Sequence, residues 1–398
     1  MPTMKHLLLS CSITAFCLFS LTTKAQRLPL IKAGNANAII TDGAYVHLNW
    51  QLDPNAKPDI YYVNVPFRQS QVTLKTDQDS IRFNTKPGKV YDFITLLNGK
   101  DSCFIKIASI QDTLTQLSGN STHPAPDTLP FELNGSRIYL KGILNDSKTV
   151  NIQFDLGAGT TCVNRQVAEK LGLQFDGNTV VTNTQGTNET RTSSGNTLTI
   201  GTISWKTVRL VQVGNMQEGE DLIIGNSLFR EKIIEIDYDK KRMIIHQKLP
   251  VYSSRFKKQA VWFEQNRPKF QAVVVVGGKS YPFWFLFDTG RDATMALGSD
   301  FSRHEQLWQK LDSLTMVNGR KIVRLNAEIA GVVFPDIVTN AHPPDKPGSR
   351  TTLFGNQILN HFNVILDNRE GMLYLKPNGR SKEPYSNYQD FLESIRGR

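Results

Sequence analysis

The sequence predicts a mainly β protein in which a small N-terminal β-domain is followed by two similar lobes related by a pseudo-two-fold axis. Two observations support this fold class. Short strands with alternating polar and apolar residues recur along the chain, and one set of landmarks occurs twice in the same order. The composition, with 39% hydrophobic and 21% charged residues, is ordinary for a folded protein and excludes a disordered or collagen-like chain.

Residues 1–25 are predicted to form an export signal. A basic start precedes an apolar run of 15 residues at 7–21, and Ala25 offers a small residue for cleavage. A bilayer span needs about 20 apolar residues, so this run is too short for a stable membrane anchor. We therefore expect export to a periplasmic or extracellular location. Lipid anchoring at Cys17 is the weaker alternative, because a bulky residue precedes it.

Residues 27–121 are predicted to form a small antiparallel β-domain. Turn signals such as Asp42-Gly43 and Asn98-Gly99 separate its short strands, which suits successive hairpins. We find no chemical motif in this region, and the Pro-containing segment 122–127 is typical of a linker. The clearest predicted strands are 45–48, 60–63, 80–83 and 103–106.

The chain after the linker contains an internal repeat. An apolar strand at 150–154 runs into Asp155-Leu156-Gly157, and a second at 282–287 runs into Asp288-Thr289-Gly290, 133 residues further on. A single Asp-x-Gly triplet carries no information, because average composition supplies roughly one or two in a chain of this length. The informative feature is the duplication.

Three further landmarks repeat in the same order. Gly186 maps onto Gly319 at the same offset, and Asn318-Gly319 is typical of a hairpin tip. The run Ile-Ile-Gly-Asn at 223–226 returns as Leu-Phe-Gly-Asn at 353–356. Twelve residues after each of these glycines an Asp closes an apolar strand and precedes a turn, so we interpret both acids as turn caps. They are Asp237 and Asp367.

The repeat divides the rest of the chain into two lobes and a C-terminal tail. In the second lobe we expect a helix near 300–311 with His304 on its exposed face, and in the tail a short helix at 388–395. The predicted boundaries are 128–250 for lobe 1, 255–378 for lobe 2 and 379–398 for the tail.

The duplicated Asp-x-Gly unit, with its downstream apolar-apolar-Gly element, resembles the retropepsin/pepsin-like aspartyl proteases over about residues 129–377. The resemblance implies a bilobal acid-protease-like β-barrel fold, with both half-sites in one chain. It also implies that Asp155 and Asp288 form the catalytic pair. The loop and orienting residues that it implies are Gly157, Thr289 and Gly290.

Two carboxylates held close together suit the activation of water. Two like charges so close do not both ionise easily, so the pair shares one proton and titrates as a unit. The ionised member takes a proton from the attacking water, while the protonated member polarises the peptide carbonyl. This chemistry acts on a polypeptide substrate and needs no metal and no cofactor. Hairpins around Gly186 and Gly319 are candidate flaps that cover the substrate and exclude water.

Two residues depart from the family pattern. Leu156 stands where the second loop keeps the hydroxyl of Thr289, and a lost hydrogen bond costs about 0.5–1.5 kcal/mol. Arg291 would lower the pKa of the pair, unless Asp292 pairs with it or its side chain points outward. We therefore expect an exported aspartic endopeptidase. The alternative is a catalytically inactive relative that binds peptide or glycan in the inter-lobe cleft.

Other function classes fit the residues less well. The net charge of +10 is spread along the chain rather than gathered in one stripe, which gives no support for nucleic-acid binding. The Gly-x-Gly at 157–159 lacks the third glycine of a dinucleotide fingerprint. The histidines show no metal-ligand pairing, and no Gly-x-Ser-x-Gly element marks a serine hydrolase.

Outside the predicted signal the chain has two cysteines, Cys103 and Cys162. They could form one disulfide in an oxidising compartment or stay as buried thiols, and the sequence leaves both open. A nucleophilic Cys162 is a weaker interpretation than a buried thiol. Because one chain carries both half-sites, a monomer suffices for the chemistry.

Overall fold

The computed structural model describes residues 27–42, 45–55, 58–63, 70–86, 88–109, 126–146, 148–183, 186–230, 232–344 and 352–396. The described residues form 29 strands and five short α-helices, so the predicted mainly β fold class is confirmed. The predicted export signal and most of the predicted linker lie outside them. Within these ranges, no helix is both long enough and apolar enough to cross a bilayer.

Eight strands in the N-terminal part form two four-stranded sheets. They are β1 (Leu30–Ala33), β2 (Asn37–Asp42), β3 (Tyr45–Gln51), β4 (Asp59–Val63), β5 (Ser70–Lys75), β6 (Ser80–Thr85), β7 (Val90–Leu97) and β8 (Asp101–Ser109). The sheet orders are β1-β7-β8-β4 and β3-β2-β5-β6. The predicted antiparallel pairing is wrong at two places, since β1–β7 and β4–β8 are parallel. Alternation reports which face of a strand is buried, not the direction of its neighbour.

The first lobe contains a closed barrel of six strands. Its elements are β9 (Asp127–Pro130), β10 (Glu132–Asn134), β11 (Arg137–Leu144), β12 (Lys148–Phe154), β13 (Cys162–Asn164), α1 (Arg165–Lys170), β14 (Gly177–Asn183), β15 (Gly186–Ile200), β16 (Ile203–Val213), β17 (Leu222–Ile224), a 3₁₀ helix (Asn226–Phe229), β18 (Ile233–Asp237) and β19 (Arg242–His246). The barrel order is β11-β12-β17-β13-β16-β15, and β15 returns to pair with β11.

The second lobe repeats this arrangement. Its elements are a 3₁₀ helix (Val251–Arg255), β20 (Lys257–Glu264), β21 (Arg267–Val276), β22 (Lys279–Asp288), β23 (Met295–Ala296), α2 (Ser299–Arg303), a 3₁₀ helix (His304–Gln306), α3 (Leu307–Lys310), β24 (Ser313–Val317), β25 (Arg320–Ile329), β26 (Val332–Ala341), β27 (Leu353–Gly355), α4 (Asn356–Leu359), β28 (Phe362–Asp367) and β29 (Met372–Pro377). The order β21-β22-β27-β23 matches β11-β12-β17-β13, and β25 pairs with both β21 and β26.

Six strands, three from each lobe, form the sheet that joins the lobes. Its order is β9-β19-β18-β28-β29-β20, and the central pair β18–β28 is antiparallel. Asp237 and Asp367 end these two central strands. Asp237 accepts a hydrogen bond from the amide of Lys240 at 3.1 Å, and Asp367 accepts from the amides of Arg369 and Glu370 at 3.0 Å. Both acids therefore cap turns, as predicted.

The predicted helix at 300–311 is broken in the middle. Glu305 and Gln306 have φ angles of 45° and 57°, which end a right-handed helix between α2 and α3. His304 is not on an exposed face, because its side chain is only 19% exposed and its ring lies 5.5 Å from that of Phe283. In the tail, helix α5 (Tyr388–Arg396) forms at the predicted place.

Candidate active site

Each Asp loop begins where a buried barrel strand ends. Phe154, the last residue of β12, pairs in parallel with Ile224 of β17, so Asp155 follows directly after this pairing. In lobe 2, Asp288 itself pairs in parallel with Gly355 of β27. Backbone pairing to the downstream apolar-apolar-Gly strand therefore fixes the position of both loops.

The glycines of the two downstream elements are required by close packing. A Cβ atom on Gly225 would lie 2.2 Å from the carbonyl oxygen of Ala158, and one on Gly355 would lie 2.2 Å from that of Ala293. Real Cβ atoms do not approach oxygen so closely, so any other residue would push the Asp loop away. This explains why an apolar-apolar-Gly run accompanies each Asp-x-Gly triplet.

The carboxyl groups of Asp155 and Asp288 meet between the lobes and share a hydrogen bond. Backbone N–H groups point at the same place. The amide of Gly157 donates to Oδ1 of Asp155 at 2.7 Å. The amide of Gly290 lies 3.2 Å from Oδ1 of Asp155 and 3.1 Å from Oδ1 of Asp288, so it serves both carboxyls.

The pKa of Asp155 is raised well above its usual range. Burial is the largest cause, and the negative charge of Asp288 and the hydrogen bond between the two carboxyls also raise it. The amides of Gly157 and Gly290 act in the opposite direction, because they stabilise the ionised form. The net shift favours a pair that holds one proton.

The motif glycines leave no room for a side chain. A Cβ atom on Gly157 would lie 2.6 Å from Cγ of Asp288, and one on Gly290 would lie 2.2 Å from Cγ of Asp155. Each glycine therefore faces the carboxyl of the opposite lobe. The two positions are glycine because the acids approach each other so closely.

Thr289 ties the two loops together through its hydroxyl group. This oxygen accepts a hydrogen bond from the amide of Leu156 at 2.9 Å and donates to the carbonyl of Phe154 at 3.1 Å. Leu156, at the equivalent position of lobe 1, is buried in the main hydrophobic core and makes no such bond. The hydroxyl contact between the loops is therefore made from one side.

Two side chains of lobe 1 hold the carbonyl group of Gly290. Nε of Arg137 donates to this oxygen at 2.9 Å, and Nε2 of Gln153 donates at 3.0 Å. Neither residue stands out in the sequence. A side chain that binds a backbone carbonyl leaves no motif, since every residue offers that acceptor.

Asp292 contacts lobe 1 rather than serving only its own loop. Its Oδ1 accepts hydrogen bonds from the amide and the hydroxyl of Ser136 at 3.2 and 2.7 Å. Arg291 was expected to lower the pKa of the pair unless Asp292 paired with it or its side chain pointed outward. The pKa of Asp155 is instead raised, first by burial and then by the charge of Asp288.

The two predicted flap positions lie on hairpins. Gly186 opens β15 and pairs with Asn183 of β14, and the two residues between them lie outside the described part of the chain. Asn318 and Gly319 have φ angles of 49° and 73° and connect β24 to β25. This is the left-handed turn that Asn-Gly favours.

Both cysteines that the structure describes are free thiols. Cys103 is buried in the N-terminal core, and Cys162 lies in β13. Burial, followed by the charge of Asp155, raises the pKa of Cys162 to about 12, which disfavours a nucleophilic thiolate. Among the described residues, no three His, Cys, Asp or Glu side chains are grouped as metal ligands would be.

Residues 140–228 match the model of the aspartyl protease family. Among solved structures, an aspartic proteinase from Irpex lacteus is similar, with a TM-score of 0.46 and 11% sequence identity over 65% of this chain and 99% of that chain. No curated protein matches the chain. The family match spans the first Asp loop. It confirms the predicted resemblance to the retropepsin/pepsin-like aspartyl proteases.

Proposed function

We propose that this protein is an exported aspartic endopeptidase that hydrolyses peptide bonds with a water molecule activated by Asp155 and Asp288. The observation that carries the proposal is the pair itself. Two carboxyls from opposite lobes share a hydrogen bond, and the amide of Gly290 lies within 3.2 Å of both. Such a pair is suited to acid–base catalysis on an uncharged amide.

The raised pKa of Asp155 supports the singly protonated state that this chemistry needs. In that state one carboxylate accepts a proton from the attacking water while the other carboxyl donates a hydrogen bond to the scissile carbonyl. The proton then passes to the leaving nitrogen, and the pair returns to its starting state. The N–H groups of Gly157 and Gly290 stabilise the negative charge wherever it resides on the pair.

The hairpins β14–β15 and β24–β25 are proposed to act as flaps over the substrate. At the second tip, Met316 and Val317 are 54% and 48% exposed, so apolar side chains are available for contact with a polypeptide. Closing over the substrate would exclude water other than the reacting molecule.

The test is cleavage of an unfolded protein by the wild type and by Asp155→Asn and Asp288→Asn. Loss of an acid–base group typically costs about 10²–10⁴-fold in rate, so either variant should lose nearly all cleavage. The matched control is Asp146→Asn, which changes an exposed carboxyl in a turn. Retained cleavage in both dyad variants would remove the pair from the mechanism.

The alternative function, non-catalytic binding of peptide or glycan in the cleft, has its own outcome in the same experiment. It predicts that the purified wild type cleaves nothing and yet binds the unfolded protein or a glycan saturably. A cleaving wild type with inactive dyad variants decides in favour of the peptidase.

Export is proposed from residues 1–25 alone. The mature chain should begin at Gln26, with no lipid attached, and should be found outside the cytoplasm after cell fractionation. Mass spectrometry of that N-terminus tests the cleavage site and the lipid alternative together. Light scattering tests the accompanying proposal that a monomer is sufficient.

A further inference from the structure

Two hairpin tips occupy equivalent places in the lobes, and each meets elements of the opposite lobe. The tip between β10 and β11 is Gly135-Ser136, and the tip between β20 and β21 is Gln265-Asn266. The side-chain amide of Asn356 donates to the carbonyl of Ser136, and that of Asn226 donates to the carbonyl of Asn266 at 3.0 Å. Both asparagines directly follow the glycines that support the Asp loops.

The first tip has a second attachment. Asp292, four residues after Asp288, accepts hydrogen bonds from both the amide and the hydroxyl of Ser136. A Cβ atom on Gly135 would lie 2.2 Å from an oxygen of this carboxylate, so the contact is close. A charged side chain thus fastens the lobe 2 Asp loop to this hairpin.

The position equivalent to Asp292 has no side chain in lobe 1. The residue four positions after Asp155 is Gly159, and its nearest cross-lobe neighbour is the carbonyl of Gln265, 3.3 Å from where a Cβ atom would lie. Gly159 therefore brings the lobe 1 Asp loop against the second tip by backbone contact. Within lobe 2 the β20–β21 hairpin is held by the pairing of β20 with β29 and of β21 with β22 and β25.

The N-terminal domain holds this hairpin through Trp262. The indole lies on β20 and packs against the hydrophobic cluster of the N-terminal sheets. Among the described residues, it is the one member of that cluster from outside 31–107. Its Nε1 donates to Oδ2 of Asp42 at 3.1 Å, and the hydroxyl of Tyr61 lies 3.4 Å from the same oxygen.

The hairpin is stiff enough to carry this restraint to its tip. Trp262 pairs across the strands with Lys269, whose side chain is 3% exposed and whose Nζ lies 5.4 Å from the centre of the indole ring. Glu264 binds that lysine at 3.2 Å and Arg267 at 2.7 Å. Three charged side chains and the indole thus bind the two strands together beside the turn.

We propose that the N-terminal domain is a positioning element of the active site, acting through Trp262 on the β20–β21 hairpin and so on the Asp155 loop. It adds to the restraint on the hairpin that the lobe 1 Asp loop packs against. Trp262 is a positioning residue, because it acts through the hairpin, by its contacts with the N-terminal sheets and with Lys269. On this proposal the domain stays with the lobes during catalysis and is not discarded as a pro-segment.

The main test is hydrogen exchange on the full chain, measured on peptides covering 156–160. Trp262→Ala should make these amides exchange at least about ten-fold faster, because their neighbouring hairpin opens more often. The matched control is Trp308→Ala, which removes another half-buried tryptophan of lobe 2 that lies under a lysine, with Nζ of Lys321 4.9 Å from the ring. The control should leave exchange at 156–160 unchanged.

A milder variant keeps the test valid if Trp262→Ala does not fold. Trp262→Phe retains apolar packing but loses the N–H group that binds Asp42, and it should speed exchange at 156–160 at least about two-fold. The positioning role would be overturned if the Trp262 variant that folds exchanged its amides at 156–160 at the wild-type rate. It would also be overturned if Trp308→Ala accelerated that exchange equally.

A second test, the kinetics of cleavage, rests on the proposed peptidase function. Trp262→Ala should lower kcat about ten-fold with little change in KM, because it alters the geometry of the loop and not the contacts with substrate. Trp308→Ala should lower thermal stability without lowering kcat. If the wild type cleaves nothing, the peptidase proposal fails, while the exchange measurement still decides the role of Trp262.

Discussion

The two Asp loops make the same backbone turn but carry different side chains around their acids. The loop of lobe 2, Asp288 to Asp292, reaches into lobe 1 with the hydroxyl of Thr289 and the carboxylate of Asp292. The loop of lobe 1, Asp155 to Gly159, has Leu156, Ala158 and Gly159 at the positions after its acid. Apart from the two acids, the loop of lobe 2 therefore sends polar side chains across the interface, whereas the loop of lobe 1 has apolar residues and glycine at the corresponding positions.

This difference shows that the two copies of a duplicated unit can carry different residues at equivalent positions once both lie in one chain. In a symmetric pair of subunits each loop would have to carry the same residues. Here lobe 1 contributes in other ways, because Arg137 and Gln153 hold the carbonyl of Gly290 and Leu156 fills the core.

The largest effects are expected at the motif glycines. Gly290→Ala and Gly157→Ala would place a Cβ atom 2.2 and 2.6 Å from the opposite carboxyl carbon, and should lower kcat/KM at least about 100-fold by displacing the dyad. Gly290→Ala should be the more severe, because its amide serves both carboxyls. Initial rates on an unfolded protein substrate measure this.

The control for these variants is Gly214→Ala, where the nearest atom to a new Cβ is 3.5 Å away on the side chain of Arg165. Near-normal activity is expected there. Wild-type activity in Gly290→Ala would mean that the acids do not approach each other in solution as closely as described.

The next effect is on stability and concerns the one-sided hydroxyl contact. Thr289→Val removes both hydrogen bonds of the hydroxyl and leaves the amide of Leu156 and the carbonyl of Phe154 without this partner. An unsatisfied buried group lowers the free energy of unfolding by about 1–3 kcal/mol. The equivalent change in lobe 1, Leu156→Val, removes one methylene group and should cost about 0.5–1.5 kcal/mol. Urea unfolding followed by tryptophan fluorescence compares the two. Equal midpoints would show that the hydroxyl contact contributes no more than packing.

A third prediction concerns the dependence of stability on pH. The pKa of Asp155 is raised in the folded protein, so its proton stabilises the fold below the pKa of an unfolded Asp, about 3.9, and this contribution is lost as pH rises toward the folded value. Asp155→Asn cannot lose a proton there. Its melting temperature should match that of the wild type near pH 3 and exceed it progressively above pH 4.

The control for this series is Asp146→Asn, an exposed position in a turn, for which no gap that widens with pH is expected. A gap that narrows with rising pH in Asp155→Asn would have the wrong sign for a buried, repelled carboxyl. That result would contradict the close pairing of the two acids.

The comparison also shows what the sequence could predict. Asp155, Asp288 and the glycines beside them could be identified because close approach of backbone and carboxyls allows few other residues, so the same letters recur in both copies. Turn caps such as Asp237 were predictable for the same local reason. Features that depend on a few neighbouring residues, such as these motifs and turn caps, can therefore be predicted from a single sequence.

Contacts between distant segments were not predictable. Arg137 and Gln153 bind a backbone carbonyl in the other lobe, and Trp262 reads as an ordinary strand residue until the N-terminal sheets are packed against it. The parallel pairing of β1 with β7 likewise depends on a neighbour far along the chain. The asymmetry of the two loops was visible in the sequence as Leu156 against Thr289. The contacts that Arg137 and Gln153 make with the other lobe were not visible.

The smallest effect is expected where the lobes differ without consequence for the dyad. Cys162 of β13 pairs with Ile223 of β17, as Ala296 of β23 pairs with Leu353 of β27, so β13 and β23 each pair with the strand that supports the Asp loop. Since the pKa of Cys162 is raised to about 12, the thiol is protonated near neutral pH and cannot act as the nucleophile. Cys162→Ala should therefore keep kcat/KM within about two-fold of the wild type. A loss of kcat/KM as large as that of Asp155→Asn would instead show that the thiol of Cys162 takes part in the reaction.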